Sequence, residues 1–358
     1  MDGMTKVLIA MSGGVDSSVA AKLLCDEGCE CIGCTMKLYD NCDAGLPRGR
    51  TCCSLDDVED ARSVAFSLGM RYYVFNFKDD FREKVIKKFA SGYLRGQTPN
   101  PCIDCNRYMK FDKLLERAKL LGCDKLATGH YARIEFDGEK YRLKKALDKS
   151  KDQSYVLYML TQEQLAHTLF PLGSLNKTDT RAIADAADLS SARKPDSQDI
   201  CFVPDGDYAA AIERLTGEKA PCGDFIDASG KILGTHRGIT HYTVGQHRGL
   251  GLSLPERRYV CGIDAESGTV TLGGSDELYS STAEVHDFNW ISGEAPSEPI
   301  RCTAKIRYRQ PEQPATAIAH KGGSITIQFD SPQRAVTPGQ AAVLYDGDTV
   351  LGGGEIVR

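Results

Sequence analysis

The chain has 358 residues, too many for one ordinary hydrophobic core, so two or three domains are expected. Its composition, 41% apolar and 26% charged, is that of a globular protein, and a net charge of −5 argues against a generally sticky nucleic-acid binder while leaving room for a local basic surface. No apolar run approaches the roughly 20 residues that span a bilayer, and the opening MDGMTKVLIAMSGG lacks the apolar length and small-residue site of a secretory signal, so a cytoplasmic protein with no membrane partner is expected.

In chain order, the first half alternates strands and helices. KVLIAM (6–11) predicts a short buried strand, SSVAAKLLCDEG a helix ending at Gly28, and CECIGCTMK (29–37) a second strand. Ser54 with Asp57 opens a helix through Leu68 that Gly69 closes. RYYVFNF (71–77) reads as a strand, FREKVIKKFASGYL as a helix, and KFDKLLERAKLLG with DKLATGHYA as one more helix and strand. This alternation predicts an α/β domain, a parallel sheet with helices on both faces, over residues 1–205. KILGTHRGITHYTVGQHRGLGL, RYVCGID and GTVTLGG then predict a small β-rich domain over 206–280. RCTAKIRYR, SITIQFD and AAVLYDGDTVLGGGEIV predict an antiparallel C-terminal domain over 281–358, with Asp346-Gly347 as a hairpin turn.

Chemistry concentrates in two places. MSGGVDSS (11–18) lies between the first strand and first helix, where two glycines allow close backbone approach and helix N–H groups face an anion. Ser12, Ser17 and Ser18 add hydroxyls; Asp16 would repel phosphate unless a cation such as Mg²⁺ bridged them. The loop matches neither the G-x-x-x-x-G-K-[ST] nor the G-x-G-x-x-G pattern, and a merely tight strand-to-helix turn is the lesser alternative.

The second place is cysteine. Fourteen cysteines in a chain without a leader read as reduced thiols, and Cys29, Cys31 and Cys123 adjoin apolar runs as small core groups. QTPNPCIDCNRYMKF (97–111) sets Cys102 and Cys105 three apart, and KPDSQDICFVPDGDY (194–208) carries Cys201, which beside Ile200 and Phe202 reads equally well as a core thiol. Lys144, Lys145, Lys149 and Lys151, and the alternating Lys305, Arg307 and Arg309, are solvated charges or phosphate contacts. Arg248, Lys151 and Arg307 are candidates for a basic groove between domains. His130 in TGHY is a general acid/base or a hydrogen-bonded structural imidazole.

SGGVDSS after a first strand resembles the pyrophosphate loop of the ATP-pyrophosphatase (PP-loop) superfamily, which splits ATP to adenylate an oxygen that a nucleophile then displaces as AMP. TPNPCIDCN, ATGHYA, KDQSYVLY, DSQDICF, TVGQHRGLG, RYRQ and VTPGQAAVLYDGDTVLGGGEI resemble, in order and over nearly the whole chain, the tRNA-specific 2-thiouridylase family. The resemblance implies a PP-loop catalytic domain, a small β-rich domain and a C-terminal β-barrel that contacts tRNA. It implies ATP-dependent 2-thiolation of the wobble uridine in tRNAs for Gln, Lys and Glu, with sulfur loaded by a cysteine desulfurase or a sulfur-carrier protein.

Carried over by residue, Cys201 bears the persulfide and Cys105 is the nucleophile that resolves it, leaving a transient disulfide between them. Ala10, Met11, Ser12, Gly13, Gly14, Val15, Asp16 and Ser17, with Met36 and Gly129, hold ATP. Asn100, Pro101 and Cys102 face the target base, and Lys151, Asp152, Gln153, Arg307 and Tyr308 contact tRNA.

The chain departs from the family at Cys102, where many members have aspartate (P-N-P-D-x-x-C-N). Cys102, Cys105 and Cys201 then offer three thiolates for a [4Fe–4S] cluster whose fourth iron would take sulfide. A zinc site would need further ligands such as Cys52 and Cys53. A third reading keeps the persulfide and makes Cys102 a spectator or a resolving thiol. Two other function classes compete: a PP-loop ligase or amidotransferase-like enzyme on a small metabolite, and a non-catalytic RNA- or metal-binding protein. An intact loop disfavours the last, and the lack of a glutaminase segment disfavours the former.

Overall fold

The computed structural model describes residues 4–39, 55–195, 200–203 and 205–357. In β1 (Lys6–Ala10) the central Val7, Leu8 and Ile9 are fully buried, as a strand covered on both faces requires. It sits in the middle of a five-stranded parallel sheet with β2 (Glu30–Lys37), β3 (Arg71–Asn76), β4 (Lys125–Thr128) and a short last strand, in the order β3-β2-β1-β4 and then Thr168–Leu169. Helices α1 (Val15–Asp26) and α2 (Leu55–Ser67) pack on the face carrying Val7, Ile9 and Cys31. The helical runs 78–94 and 101–120 cover the opposite face with Leu8, Ile32 and Cys34. Cys31 and Cys123 are buried as expected of core thiols, while Cys29 is only partly covered.

The helix expected from Lys110 onward begins earlier, at Pro101. It runs as Pro101–Asp104, a ten-residue π-helix Cys105–Leu114, and Leu115–Leu120. Proline at the first helical position loses no hydrogen bond, and the Asn100 side chain caps the turn by accepting from the Cys102 N–H at 3.1 Å. Cys102 and Cys105 therefore stand on the first turns of a helix rather than in a loop. Wide π turns recur at functional sites.

A second departure is the hairpin β5 (Ala132–Phe136) and β6 (Tyr141–Lys145). In sequence it lies inside residues 1–205, yet in space it leaves the parallel sheet and extends the C-terminal one. The short strand Thr168–Leu169 is β7 in chain order.

The central domain is a four-stranded sheet of β8 (Gly223–Ile226), β9 (Ile232–His236), β10 (Tyr259–Asp264) and β11 (Thr269–Gly273) around Phe225, Val260, Val270 and Leu272. The C-terminal strands are β12 (Tyr279–Trp290), β13 (Ile300–Lys305), β14 (Gln313–Ala319), β15 (Ile325–Arg334), β16 (Ala341–Asp346) and β17 (Thr349–Ile356). Pairing of β12 with both β15 and β17 closes them into a six-stranded barrel, and Thr349 of β17 pairs with Lys144 of β6 to add the hairpin. Arg133 Nη2 meets Asp348 Oδ2 at 2.6 Å and Lys145 Nζ meets Glu312 at 2.6 Å across the same seam. One core is shared: Tyr155, Leu157 and Tyr158 pack with Ala341, Val343 and Tyr345 of the barrel.

The stretch before Cys102 touches all three domains. The Thr98 N–H donates to the Pro338 carbonyl at 2.8 Å, and Gln340 Nε2 donates to the Thr98 carbonyl. Thr98 Oγ1 lies 3.4 Å from Thr243 Oγ1 of the central domain. Gly339 makes this closeness possible: it has φ +86°, and a Cβ there would stand 2.9 Å from the Thr98 nitrogen. Gly339→Ala is expected to destabilise the protein by about 1–3 kcal/mol from the backbone conformation alone. Urea unfolding followed by fluorescence of the single tryptophan, Trp290 in β12, should show a lower midpoint. An unchanged midpoint would mean that the junction yields without cost.

Candidate active site

The residues expected to hold a nucleotide share one edge of the parallel sheet. Ala10 ends β1, Met36 lies near the end of β2, and Gly129 follows the end of β4; Ala10 is in register with Cys34 and Thr128. Crevices at the carboxyl ends of parallel strands are where such sheets bind ligands. Gly13 has φ +75°, and a Cβ on it would meet the Asp57 carbonyl of α2 at 2.4 Å. Gly14 caps α1 without a side chain, leaving the first-turn N–H groups directed at the loop. Ser17 and Ser18 turn inward instead of presenting hydroxyls outward: both donate to the Gly14 carbonyl, at 3.1 and 3.0 Å. Gly129 is required for space, since a Cβ there would stand 2.8 Å from the Ser17 nitrogen.

Asp16 has its cation already. Its Oδ1 accepts from Lys177 Nζ at 2.6 Å and from the Tyr131 hydroxyl at 2.8 Å. Lys177 is 9% exposed and Tyr131 2%, so this pair works in a low-dielectric setting beside the loop. Neither was singled out from the sequence. A signal was present: Lys177 opens a helix, Lys177–Ala186, where the macrodipole disfavours a cation, so its placement needs another reason.

The thiols come next. Cys102 is exposed; Cys105 and Cys201 are half-buried and lie against the same apolar cluster. The Cys201 carbonyl accepts from Tyr39 Oη at 2.8 Å, just past the end of β2, and Phe202 packs edge-on against Phe81 and Phe89 at 5.7 and 5.4 Å between centroids. Upstream, Lys194 Nζ pairs with Asp57 Oδ1 at 2.9 Å and with Asp60, tying the approach to Cys201 onto α2. Among the described residues, no group of three His, Cys, Asp or Glu is arranged to hold a metal ion. Cys52 and Cys53 lie outside the described residues.

Of the residues expected at the RNA, Cys102, Asp152 and Tyr308 come together. The Tyr308 hydroxyl donates to the Asp152 carbonyl at 3.4 Å, and burial, with the charges of Asp152 and Cys102, raises the Tyr308 pKa. Asn100 caps the helix, and Pro101 is buried in its first turn. The Asp152 carboxylate is spent locally, accepting from the Ala146 N–H and the Ser154 hydroxyl at 3.0 and 2.8 Å. Arg307 does not present its guanidinium to solvent: Nη2 donates to the Val244 and Ala335 carbonyls at 2.9 and 3.2 Å, joining the central domain to the barrel. Arg248 is exposed on the central domain.

A charged cluster forms around one buried carboxylate. Asp104, one residue before Cys105, meets Lys88 Nζ at 2.9 Å; burial raises its pKa and Lys88 opposes this. Glu355 of the barrel lies 3.7 Å from the same ammonium. His130 is a buried structural imidazole by its contacts, with Nδ1 2.7 Å from Thr128 Oγ1 and Nε2 3.4 Å from Lys110 Nζ.

With this geometry in place, three family descriptions match the chain end to end: a tRNA methyl transferase HUP domain over 5–205, a tRNA methyl transferase PRC-barrel domain over 211–274 and an aminomethyltransferase beta-barrel domain over 280–356. The tRNA-specific 2-thiouridylase MnmA of Acetivibrio thermocellus is 52% identical over 98% of this chain and 99% of its own. MnmA 2 of Caldanaerobacter subterraneus subsp. tengcongensis is 50% identical over 100% of this chain and 99% of its own. The MnmA of Clostridioides difficile is 48% identical over 99% and 98%. The chain belongs to the MnmA family. The glycine-rich loop described above lies within the matched HUP domain, and no described helix is long and apolar enough to cross a membrane.

Two outcomes are expected from this geometry. Lys177→Met leaves the Asp16 carboxylate uncompensated beside the loop, so ATP-analogue affinity should fall about tenfold or more, and Asp16→Asn added to it should restore part of the loss. Isothermal titration of the single and double variants checks this. Burial, aided by the nearby Lys110 charge, holds the His130 pKa well below its usual 6.5. The unfolded chain therefore binds a proton that the folded chain refuses. The contribution is complete above pH 6.5 and is lost as the pH falls below it, by at most about 1.4 kcal/mol per pH unit. His130→Gln should flatten that decline in denaturation midpoints taken between neutral and acid pH.

Proposed function

We propose that this chain is an ATP-dependent tRNA-uridine 2-sulfurtransferase that acts on the wobble uridine. The observation that carries the reading is the tether of Cys201 to Tyr39. It fixes the second thiol segment at the β2 end of the edge that carries the PP-loop, Met36 and Gly129. An adenylating loop and a sulfur-bearing cysteine on one edge are what the two half-reactions need.

A urea-like carbonyl is a poor electrophile, and its oxygen must leave as something better than hydroxide. In the first step the C2 oxygen attacks the α-phosphorus of ATP, forming an O–P bond and expelling pyrophosphate. The loop N–H groups and Lys177 stabilise the charge of the phosphates. In the second step the terminal sulfur of a Cys201 persulfide attacks C2, and Cys105 attacks the inner sulfur. The S–S bond breaks, AMP carries the oxygen away, and a Cys105–Cys201 disulfide remains for an external dithiol to reduce. Lys151, Asn100 and the exposed Cys102 border the substrate at the barrel side. Arg307 holds the two β domains in place as part of the receiving surface. The tRNAs are those for Gln, Lys and Glu, and a cysteine desulfurase or a sulfur-carrier protein supplies the persulfide sulfur.

Two expected groups are assigned no step. Magnesium at Asp16 would meet an oxygen that a lysine ammonium already holds, so the Mg²⁺ that accompanies ATP is assigned to the nucleotide's phosphates and not to this carboxylate. For a [4Fe–4S] cluster, an exposed Cys102 beside half-buried Cys105 and Cys201 forms no ligand set among the described residues. The persulfide route needs only two thiols, and Cys105 and Cys201 lie against one apolar cluster.

The test is incubation with ATP, sulfide and an unmodified tRNA transcript, scoring AMP and 2-thiouridine by nucleoside mass. Equal amounts of AMP and 2-thiouridine are expected. AMP released with a small metabolite and no tRNA would favour a ligase instead. Cys201→Ser should reduce desulfurase-driven thiolation to background while adenylation persists, and Cys102→Asp should keep substantial activity. Complete loss in Cys102→Asp with the fold intact, and iron with acid-labile sulfide in anaerobically purified protein, would replace the persulfide with a cluster.

A further inference from the structure

Tyr131 makes bonds in two directions that the reaction does not use. Its phenol reaches the PP-loop, 2.8 Å from Asp16 Oδ1 and 3.0 Å from Thr180 Oγ1. Its main chain is locked to Gln153 in both senses: the Tyr131 N–H donates to Gln153 Oε1 at 2.9 Å, and the Gln153 N–H donates to the Tyr131 carbonyl at 2.9 Å. Gln153 belongs to the 151–153 segment, and the neighbouring Asp152 carbonyl takes the Tyr308 hydroxyl from the barrel side at 3.4 Å. Residues 129–131 are also the whole connection between β4 of the parallel sheet and β5 of the hairpin that extends the barrel sheet.

We propose that Tyr131 is a positioning residue that couples RNA occupancy of the 151–153 segment and Tyr308 to the ATP loop, so that nucleotide and tRNA bind with positive cooperativity. The physical basis is competition for one carboxylate. Asp16 Oδ1 is shared by the Tyr131 phenol and the Lys177 ammonium. An RNA that fixes the 151–153 segment holds the phenol on Asp16. The phenol then carries more of the carboxylate's hydrogen bonding, and Lys177 is released toward the phosphates. A ligand shifts such an equilibrium only through a difference in its interaction with the two arrangements, and that difference here is the position of Lys177. Burial of Tyr131 makes the shift effective, because no water can take the place of the phenol. The inference rests on the proposed tRNA-modifying reading, since it needs an RNA on Tyr308 and the 151–153 segment.

The experiment measures binding of α,β-methylene ATP, whose α–β bridge cannot be cleaved for adenylation, with and without an unmodified tRNA transcript. It is run on the full chain, on Tyr131→Phe and on Gln153→Ala. In the wild-type chain tRNA should tighten the analogue about fivefold or more, and the analogue should tighten tRNA by the same factor. In both variants the affinity of each ligand alone is measured as its own baseline, which Gln153→Ala lowers for tRNA; against that baseline the factor should fall toward unity, an effect that a loss of packing would not give. A factor unchanged in both variants, or independent binding in the wild-type chain, overturns the proposal and leaves the functional reading standing. Failure of the wild-type chain to bind tRNA at all overturns the functional reading, and the coupling with it.

Discussion

The whole arrangement depends on the hydrogen bonds that pin Thr98. Its N–H and carbonyl are both taken by the barrel, through Pro338 and Gln340, while its hydroxyl faces the central domain. Two residues further on, Asn100 caps the helix that carries Cys102 and Cys105. The orientation of that helix is thus set by groups more than two hundred residues away in sequence as well as by the parallel sheet beneath it. Asp104 is held to Lys88, whose ammonium also reaches Glu355 of the barrel, and this reinforces the same seam from inside the helix. A buried carboxylate beside an ammonium costs desolvation, and such networks fix geometry better than they add stability.

The nucleotide side obeys a different economy of charge. A PP-loop with an aspartate in its middle would repel the phosphates it has to bind. The fold resolves this with an ammonium from a helix start and a phenol from a three-residue connector, both buried. The carboxylate then serves as an anchor that positions Lys177, and the loop keeps its backbone N–H groups for the ligand. The same loop rests on the α2 carbonyl of Asp57, whose carboxylate holds Lys194. Nucleotide loop and thiol segment therefore lean on one residue.

Much of this was legible in the residues. The parallel sheet followed from continuous apolar runs separated by helical periodicity, and the loop from its two glycines between a strand and a helix. The order of motifs along the chain carried the family. What sequence could not deliver were the long-range partners. Arg307 reads as an exposed strand cation, and only tertiary structure reveals that it bonds Val244 and Ala335. Lys177 and Tyr131 lie far from the loop in sequence and show no periodicity that would flag them. The π-helix has no composition signature, so the start at Pro101 was missed although proline after asparagine is a good helix opening. The β5–β6 hairpin had a signal in Asp137-Gly138 between alternating residues, but nothing local shows which sheet it joins.

That hairpin has a consequence for how the molecule is made. Lys144 leaves the ribosome roughly 200 residues before Thr349, its partner in the barrel sheet. At about 5–20 residues per second the β6 edge stays open for roughly 10–40 s during synthesis. Its residues Arg142, Lys144 and Lys145 are the kind of edge charges that discourage pairing with a neighbouring nascent chain. The basic strand that reads as an RNA contact is thus also a guard during translation, and the Thr98 junction cannot form until the final strands have emerged. A nascent chain arrested before the barrel would carry a finished nucleotide loop and an unset thiol helix, and so would be poised to hold ATP without the means to place it against an RNA.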